Sequence, residues 1–450
     1  MSPSWRTAVL AVSLVVLVGG WGAMGVLSRR PDLSAILAAH ELFAWMFPAT
    51  FCAVCGLTIA LAHRPRRAAL RACMVAVPVV AGLALLEVPA ALKLVHWRVL
   101  CTRWLACDTY YSLTYQFDLE LGMRRPAHAR WSERALSDVE SSWSLPPARR
   151  DTLTFSYDAL GFRNPARLQQ ADVALVGDSY VEGAYNDDAD VVARRLEARL
   201  GRPVASLAVA GFGTMQELVV IDRIAPRFAP KVIVWFFFEG NDLYDDREFE
   251  AVMKLSPAVM AKGTGAEGMR AFHGWQVRSF SLNALALLRR WADPVFPNHA
   301  PYVARLIAPA HAGAFVLFFD YARWPWTEDV AALWTKAQGT FRQGLALARQ
   351  RGVHLLLAFI PIKFRVYRPY VEIPPGSPMQ SWTIWPIRES FADFCRAEAV
   401  ECLDLTVVLQ RALDAGGMPY ALTDTHWSAE GHDIVAHALQ ETIDTMGWLE

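Results

Sequence analysis

The sequence predicts an α/β protein in which a membrane segment precedes a domain built on a parallel β-sheet. Two observations predict it. The chain of 450 residues begins with long uncharged stretches, and from about residue 166 short apolar runs alternate with amphipathic stretches. Strands that are apolar throughout and separated by helices are typical of a parallel sheet covered on both faces. We therefore expect a membrane segment at 1–95, a lead-in with short strands at 96–165 and a three-layer α/β/α domain at 166–450.

Three stretches near the N-terminus predict transmembrane helices. Thr7–Leu27 and Leu42–Ala62 contain no charged side chain, and Ala72–Leu92 contains only Glu87. Each is long enough to cross about 30 Å of hydrocarbon. A dense cationic run at 63–71 should stay in the cytoplasm, so we expect an inner-membrane protein whose C-terminal domain faces the periplasm or exterior. A cleaved signal peptide at 7–27 and a reversed topology with a cytoplasmic domain are the alternatives.

Cysteine placement favours the same compartment. Cys101 and Cys107 lie close together in the sequence, as do Cys395 and Cys402. Two local pairs suit disulfides in an oxidising space, and inert buried thiols are the alternative. Lys+Arg and Asp+Glu balance at 44 each, which argues against a nucleic-acid partner, because such proteins usually carry a basic surplus.

The C-terminal domain is predicted as alternating strands and helices. Apolar runs indicate strands at Val173–Gly177, Pro203–Val209, Val232–Phe238 and His354–Ile360. Amphipathic patterns indicate helices at Val191–Leu200, Met215–Ile224, Thr340–Arg351, Glu389–Glu398 and Ala429–Thr445. A long insertion at about 243–338 contains an apolar segment, Leu306–Phe319, too short to cross a membrane. Its tryptophans around Trp324 suit a carbohydrate-facing lid or core packing.

Polar motif residues follow the strands, where a parallel sheet places its ligand crevice. Ser179 comes directly after the first strand, at the position of a nucleophile. Gly211 follows the second strand, and its N–H could donate to an oxyanion. Asn241 follows the third strand and offers a side-chain donor, while Asp424 and His426 stand just ahead of the last predicted helix.

This order of motifs resembles the SGNH/GDSL hydrolases. Gly-Asp-Ser, Gly, Gly-Asn-Asp and Asp-x-His appear in the order of that family's four blocks, over about 158–446. Two softer segments, Leu160–Asn164 and Pro361–Tyr367, are similar to those of bacterial membrane-anchored members, including relatives of alginate O-acetyltransferases. The resemblance implies a flavodoxin-like domain and a serine ester hydrolase or O-acyl (acetyl) transferase. It requires no cofactor and no metal.

The resemblance also implies a role for each motif residue. Ser179 would attack the ester carbonyl, His426 would take its proton, and Asp424 would orient His426. The N–H groups of Ser179 and Gly211, with the side chain of Asn241, would form the oxyanion hole.

The chain departs from the family pattern in two places. Ser206 replaces the usual asparagine of the second block, and Asp424 precedes His426 by two residues rather than three. Two-residue spacing still puts both side chains on one face of an extended segment. Lys363 is a candidate for binding an anionic group of the substrate, and His432, on the last helix, is interpreted as structural or surface-exposed.

The predicted substrate is an acyl ester, with a polysaccharide or lipid of the cell envelope as its source or acceptor. A partner acyl-transfer membrane protein is expected alongside it. The alternative is a non-catalytic membrane scaffold, whose SGNH-like domain binds a glycan or such a partner.

Overall fold

The computed structural model describes residues 3–20, 49, 52–57, 60, 65–92, 94, 97, 115–133, 137–138, 151–254, 279–285, 302–323 and 325–450. The chain divides into two compact units, Met1–Val95 and His96–Glu450. The predicted pair Cys101 and Cys107 lies outside the described residues, and so does Trp324.

The first unit is helical where it is described. Helix α1 spans Pro3–Leu14 and continues as a π-helical segment at Val15–Gly20, and α2 spans Pro65–Ala91. No helix in the described part of the chain is both long and apolar enough to cross a membrane. The three predicted transmembrane helices are therefore not supported. Of these, 7–27 is described only as far as residue 20, 42–62 lies mostly outside the described residues, and 72–92 falls almost wholly within α2.

The second unit alternates strands and helices after a strand-rich lead-in. In chain order its elements are β1 Gln116–Asp118, β2 Gly122–Arg124, β3 Arg130–Glu133, β4 Leu153–Ser156, β5 Val173–Gly177, α3 Ser179–Glu182, α4 Val192–Leu200, β6 Val204–Ala208, α5 Thr214–Val219, β7 Val232–Phe238, α6 Asp242–Lys254, β8 Tyr302–Leu306, β9 Phe315–Phe318, α7 Glu328–Arg351, β10 His354–Ile360, α8 Lys363–Tyr367, β11 Val371–Glu372, α9 Ile387–Glu398, β12 Cys402–Asp404, α10 Leu405–Asp414 and α11 Ala429–Met446.

A five-stranded parallel sheet in the order β12-β10-β7-β5-β6 forms the centre of this unit. Every residue of β5, β6 and β7 is buried, because helices cover both faces of the sheet. Alternate side chains of β7 enter opposite cores: Phe236 and Phe238 pack on one side, Trp235 and Phe237 on the other. The predicted α/β class with a parallel sheet is confirmed.

The insertion after α6 contributes β8 and β9 to a second, antiparallel sheet in the order β11-β8-β9, and β11 follows α8. Its strand β9 contacts the segment ahead of α11, where the Leu317 N–H donates to the Leu422 carbonyl at 2.8 Å. The insertion therefore braces the segment that carries Asp424 and His426.

Candidate active site

Ser179 is the first residue of a short helix at the carboxyl end of β5. Asp178 caps this helix, and its Oδ1 accepts the Tyr180 N–H at 3.0 Å. A side chain at Gly177 would bring its Cβ within 2.7 Å of Val181 Cγ2, so the turn from strand to helix needs glycine. The local sequence thus fixes the position of the Ser179 backbone at the end of the strand.

The structure brings Ser179, His426 and Asp424 together in one hydrogen-bonded chain. His426 Nε2 lies 2.8 Å from Ser179 Oγ, and His426 Nδ1 lies 2.6 Å from Asp424 Oδ1. The His426 backbone N–H also donates to Asp424 Oδ1, at 2.8 Å. The two-residue spacing therefore lets one carboxylate oxygen hold both the ring and the backbone of the histidine. Helix α11 begins immediately afterwards, capped by Ser428, which accepts the Gly431 N–H.

The site electrostatics favour a charged histidine facing a charged carboxylate. Burial by itself would lower the pKa of His426, but the Asp424 carboxylate outweighs it and raises that pKa to about 9. Burial would raise the pKa of Asp424, yet the facing His426 charge and hydrogen bonds hold it below its ordinary value. Burial raises the pKa of Asp178 to about 6. When His426 is neutral with its proton on Nδ1, Nε2 can accept the Ser179 hydroxyl proton.

Gly211 lies in the turn after β6 with φ of +83°. This positive φ favours glycine, and a Cβ there would lie 2.8 Å from Met123 Cε, so the end of the Met123 side chain would have to move. Both backbone polar groups of the preceding residue, Ala210, are hydrogen-bonded. Its N–H donates to Glu182 Oε2 at 2.6 Å, and its carbonyl accepts the Tyr115 hydroxyl at 3.3 Å.

A buried ion pair supports this turn, and the sequence analysis did not single it out. Arg125 and Glu182 are fully buried, with Arg125 Nε 2.9 Å from Glu182 Oε1. The Tyr157 hydroxyl donates to the same oxygen at 2.7 Å. Because Glu182 ends α3 and also binds Ala210, it ties the helix of Ser179 to the turn of Gly211.

Asn241 lies between β7 and α6, directly before the first residue of the helix. Its carbonyl accepts the N–H groups of Tyr244 and Asp245 at 2.7 and 2.8 Å. Its side-chain Nδ2 donates to Asp245 Oδ2 at 2.6 Å. An amide nitrogen carries two hydrogens, so this contact orients the group and leaves the second hydrogen for another acceptor.

The position of Ser206 shows how the chain manages without the usual asparagine in the second block. The Ser206 N–H donates to Asn164 Oδ1 at 2.8 Å, and Asn164 Nδ2 donates to the Ser206 carbonyl at 2.9 Å. Asn164, the last residue of the Leu160–Asn164 segment, therefore binds both backbone polar groups of Ser206 on β6 from outside the sheet. That segment has a structural role that the sequence did not reveal.

Lys363 is buried, with 3% of its surface exposed. Its Nζ lies 2.6–3.0 Å from four carbonyl oxygens, those of Leu317, Ala421, Leu422 and Asp424, and donates its hydrogens among them. Burial lowers its pKa to about 7. These contacts favour a role in holding the Asp424 segment against β9 over the predicted contact with substrate.

His432 is fully buried on α11, in keeping with a structural role. Its Nδ1 accepts the Val192 N–H at 3.0 Å, joining α11 to the start of α4. Burial lowers its pKa to about 3, so it is neutral at ordinary pH.

Asp138, from the lead-in, is a further acid at the site that the sequence analysis did not identify. Its N–H donates to Asp424 Oδ2 at 2.9 Å, and its Oδ1 accepts the Thr425 N–H at 3.0 Å. One donor atom each from Asp138, Asp424 and His426 lies within 4.8 Å of the others. Since these side chains are already engaged in the contacts above, we assign no metal to them.

Comparison with known proteins finds one matching family model and several related sequences. Residues 175–434, more than half of the chain, match the family model described as "GDSL-like Lipase/Acylhydrolase family". The chain is 30% identical over 96 residues to the "Probable alginate O-acetylase AlgJ" of Pseudomonas fluorescens, covering 21% of this chain and 23% of that protein. It is 31% identical over 110 residues to the protein of the same name in Pseudomonas aeruginosa, covering 24% and 26%. The matches thus span about a quarter of the length of these relatives.

Two solved structures align with the chain at low TM-score and low identity. A GDSL-like lipase from Bacteroides thetaiotaomicron aligns with a TM-score of 0.30 and 12% identity, over 63% of this chain and 91% of that one. An acetyl xylan esterase from Butyrivibrio proteoclasticus aligns with a TM-score of 0.29 and 11% identity, over 67% and 68%.

Proposed function

The chain belongs to the GDSL-like lipase/acylhydrolase family, and from this premise we propose that it cleaves or transfers an acyl group through an ester on Ser179. One observation carries the proposal. The Ser179 hydroxyl, the His426 ring and the Asp424 carboxylate form a continuous chain with contacts of 2.8 and 2.6 Å. A weakly acidic hydroxyl becomes a nucleophile when a base with an oriented ring can take its proton.

Acylation starts with Ser179 Oγ attacking the ester carbonyl while its proton moves to His426 Nε2. The Asp424 carboxylate stabilises the imidazolium that forms. The negative charge on the carbonyl oxygen is met by the N–H groups of Ser179 and Gly211 and by the second amide hydrogen of Asn241. One such donor is worth about 3 kcal/mol of barrier. The tetrahedral intermediate then collapses, the carbon–oxygen bond to the alcohol breaks, and His426 returns the proton to the departing alcohol.

Deacylation repeats these steps with a new hydroxyl. An incoming water or sugar hydroxyl gives its proton to His426 as its oxygen attacks the acyl carbon. Ser179 leaves and regains a proton from His426. Water as acceptor yields a free acid, and a sugar hydroxyl yields a new ester, so the same residues serve an esterase or an O-acyltransferase.

Transfer to a polysaccharide is the more specific candidate. It is supported by the alginate O-acetylases among the relatives, whose name describes acetylation of a polysaccharide. We therefore propose a cell-envelope glycan as acceptor and an acetyl ester as donor. The compartment that fits is an oxidising one outside the cytoplasm, because Cys395 and Cys402 are joined by a disulfide, and such bonds persist mainly in oxidising spaces.

The test uses the full chain with p-nitrophenyl acetate and a fluorophosphonate probe. Wild type is expected to release p-nitrophenol and to be labelled at Ser179, and Ser179→Ala should lose both by at least about a thousandfold. Ser390→Ala, on the surface helix α9, is the matched control and should behave as wild type. An oligosaccharide acceptor then separates the outcomes: acetylated sugar indicates a transferase, and acetate alone indicates an esterase.

Unlabelled wild-type Ser179 in folded protein would rule out catalysis by this residue and favour the non-catalytic scaffold. Activity retained in Ser179→Ala would place the nucleophile elsewhere.

A further inference from the structure

Asp138 contacts the Asp424 segment at two points, although the two acids are 286 residues apart in the sequence. Its backbone N–H binds Asp424 Oδ2 at 2.9 Å, on the oxygen that does not contact His426. Its Oδ1 accepts the N–H of Thr425 at 3.0 Å. Asp138 therefore holds both the carboxylate and the peptide that connects it to His426.

The two carboxyl groups also lie close together, since one donor atom each from Asp138, Asp424 and His426 lies within 4.8 Å of the others. A nearby negative charge disfavours ionisation of a second carboxyl group. Burial and the neighbouring Asp424 raise the pKa of Asp138 to about 8, whereas the pKa of Asp424 is held below its ordinary value. The proton of the pair therefore resides on Asp138 near neutral pH.

We propose that Asp138 is a positioning residue that acts through Asp424, and that the two carboxyl groups together set the orientation and basicity of His426. The inference rests on the proposed function, since it needs His426 as the base for Ser179. Neutral Asp138 adds no negative charge beside His426. Ionised Asp138 adds a negative charge that stabilises the imidazolium, so the two groups titrate together.

Other titratable groups face this cluster, and they are unchanged by a substitution at Asp138. Asp178 raises the pKa of His426, and the charge of Lys363 interacts with both Asp424 and Asp138. The Tyr180 ring lies 4.8 Å from the His426 ring. The charges of Asp138 and Asp424 add to the effect of burial in raising the pKa of Tyr321. Burial raises the pKa of both tyrosines well above the ordinary value, so they stay neutral in the range of interest.

Asp138→Asn is the discriminating variant. Asparagine keeps an acceptor for the Thr425 N–H and the backbone N–H that donates to Asp424, but it cannot ionise. Fluorophosphonate labelling of Ser179, followed against pH, should rise as His426 loses its proton. In Asp138→Asn the midpoint of that rise should fall by about one pH unit, because the imidazolium has lost a stabilising charge. Asp138→Ala, which also removes the contacts, should lower the plateau rate by about tenfold or more.

Asp393→Asn on α9, whose side chain is 68% exposed, is the matched control and should leave the midpoint unchanged. An NMR titration of the His426 ring in wild type and Asp138→Asn reads the same shift without any reaction. If wild type is not labelled at all, the proposed function fails, and the His426 titration still tests the carboxyl pair. Equal His426 midpoints in the two proteins, or labelling that is slower at every pH with no change of midpoint, would overturn the inference.

Discussion

At the scale of single residues, Gly211 offers a direct test of the oxyanion turn. Its φ of +83° strains any other residue, and an added Cβ would lie 2.8 Å from Met123 Cε, so the Met123 side chain would also have to move. Gly211→Ala should therefore displace the turn and its N–H. We expect kcat for p-nitrophenyl acetate to fall by about 10- to 100-fold with a smaller change in KM, since a misplaced donor is lost mainly in the transition state.

Gly352→Ala is the control for this substitution. Gly352 ends α7 with φ of +65°, so it carries a similar backbone cost, but an added Cβ meets nothing within 4 Å. It should lower the free energy of unfolding by about 1 kcal/mol and leave kcat unchanged. Equal kcat values in Gly211→Ala and Gly352→Ala would argue against an oxyanion role for the turn.

The residues at the site differ in how far the sequence could predict them. The sequence could identify four of them: Ser179, Gly211, Asn241 and His426. Each lies in a motif that follows a strand or precedes the last helix, and the order of these motifs can be seen in the sequence. Glu182 and Asp138 were not identifiable, because their partners are distant in sequence: Arg125 is 57 residues from Glu182, and Asp424 is 286 from Asp138. A buried acid has no local signature until the fold supplies its partners.

At the scale of elements, the segment between α10 and α11 depends on Lys363. Its Nζ lies within hydrogen-bond distance of three carbonyls of that segment and one of β9. Lys363→Met should free the segment and lower kcat by about tenfold with little change in KM, because Asp424 and His426 would no longer be held in place. Lys336→Met, at a half-exposed lysine of α7, is the matched control. Unchanged kcat in Lys363→Met would show that β9 and α11 suffice to fix the segment.

The same lysine predicts a pH dependence of stability. Its pKa falls from an ordinary 10.5 to about 7 on folding, so between these values the unfolded chain binds a proton that the folded chain does not. Stability contributed by Lys363 is therefore full above pH 10.5 and lost as pH falls to about 7. Chemical denaturation at pH 7 and pH 9.5 tests this. The free energy of unfolding of wild type should rise relative to that of Lys363→Met as the pH increases.

Elements were predictable where burial is uniform. The strands β5, β7 and β10 coincide with the predicted Val173–Gly177, Val232–Phe238 and His354–Ile360. Short runs of consecutive apolar residues are typical of the central strands of a buried parallel sheet. The edge strand β12 was missed because it has three half-buried residues. The pair β8 and β9 was not predicted. The apolar segment Leu306–Phe319 contains only the last residue of β8, together with the turn at Gly313 and the whole of β9, so its uniform hydropathy does not mark where either strand begins or ends.

At the scale of the whole molecule, the parallel sheet separates the candidate active site from the edge strand β12. The carboxyl ends of β5, β6 and β7 carry Ser179, Gly211 and Asn241. The edge strand β12 is separated from β5 by β10 and β7. A change at that edge should therefore alter stability without altering the chemistry.

The disulfide between Cys395 and Cys402 joins the end of α9 to β12 at that edge. Closing so short a loop is worth about 2.5 kcal/mol, so the double variant Cys395→Ser/Cys402→Ser should lose about that much free energy of unfolding by chemical denaturation. Ser179 labelling should be unchanged because of the distance across the sheet. Alkylation and mass spectrometry of the protein taken directly from the producing cells should find both thiols blocked, as an oxidising compartment requires. Freely alkylated Cys395 and Cys402 in that sample would contradict the proposed compartment while leaving the assignment of Ser179 intact.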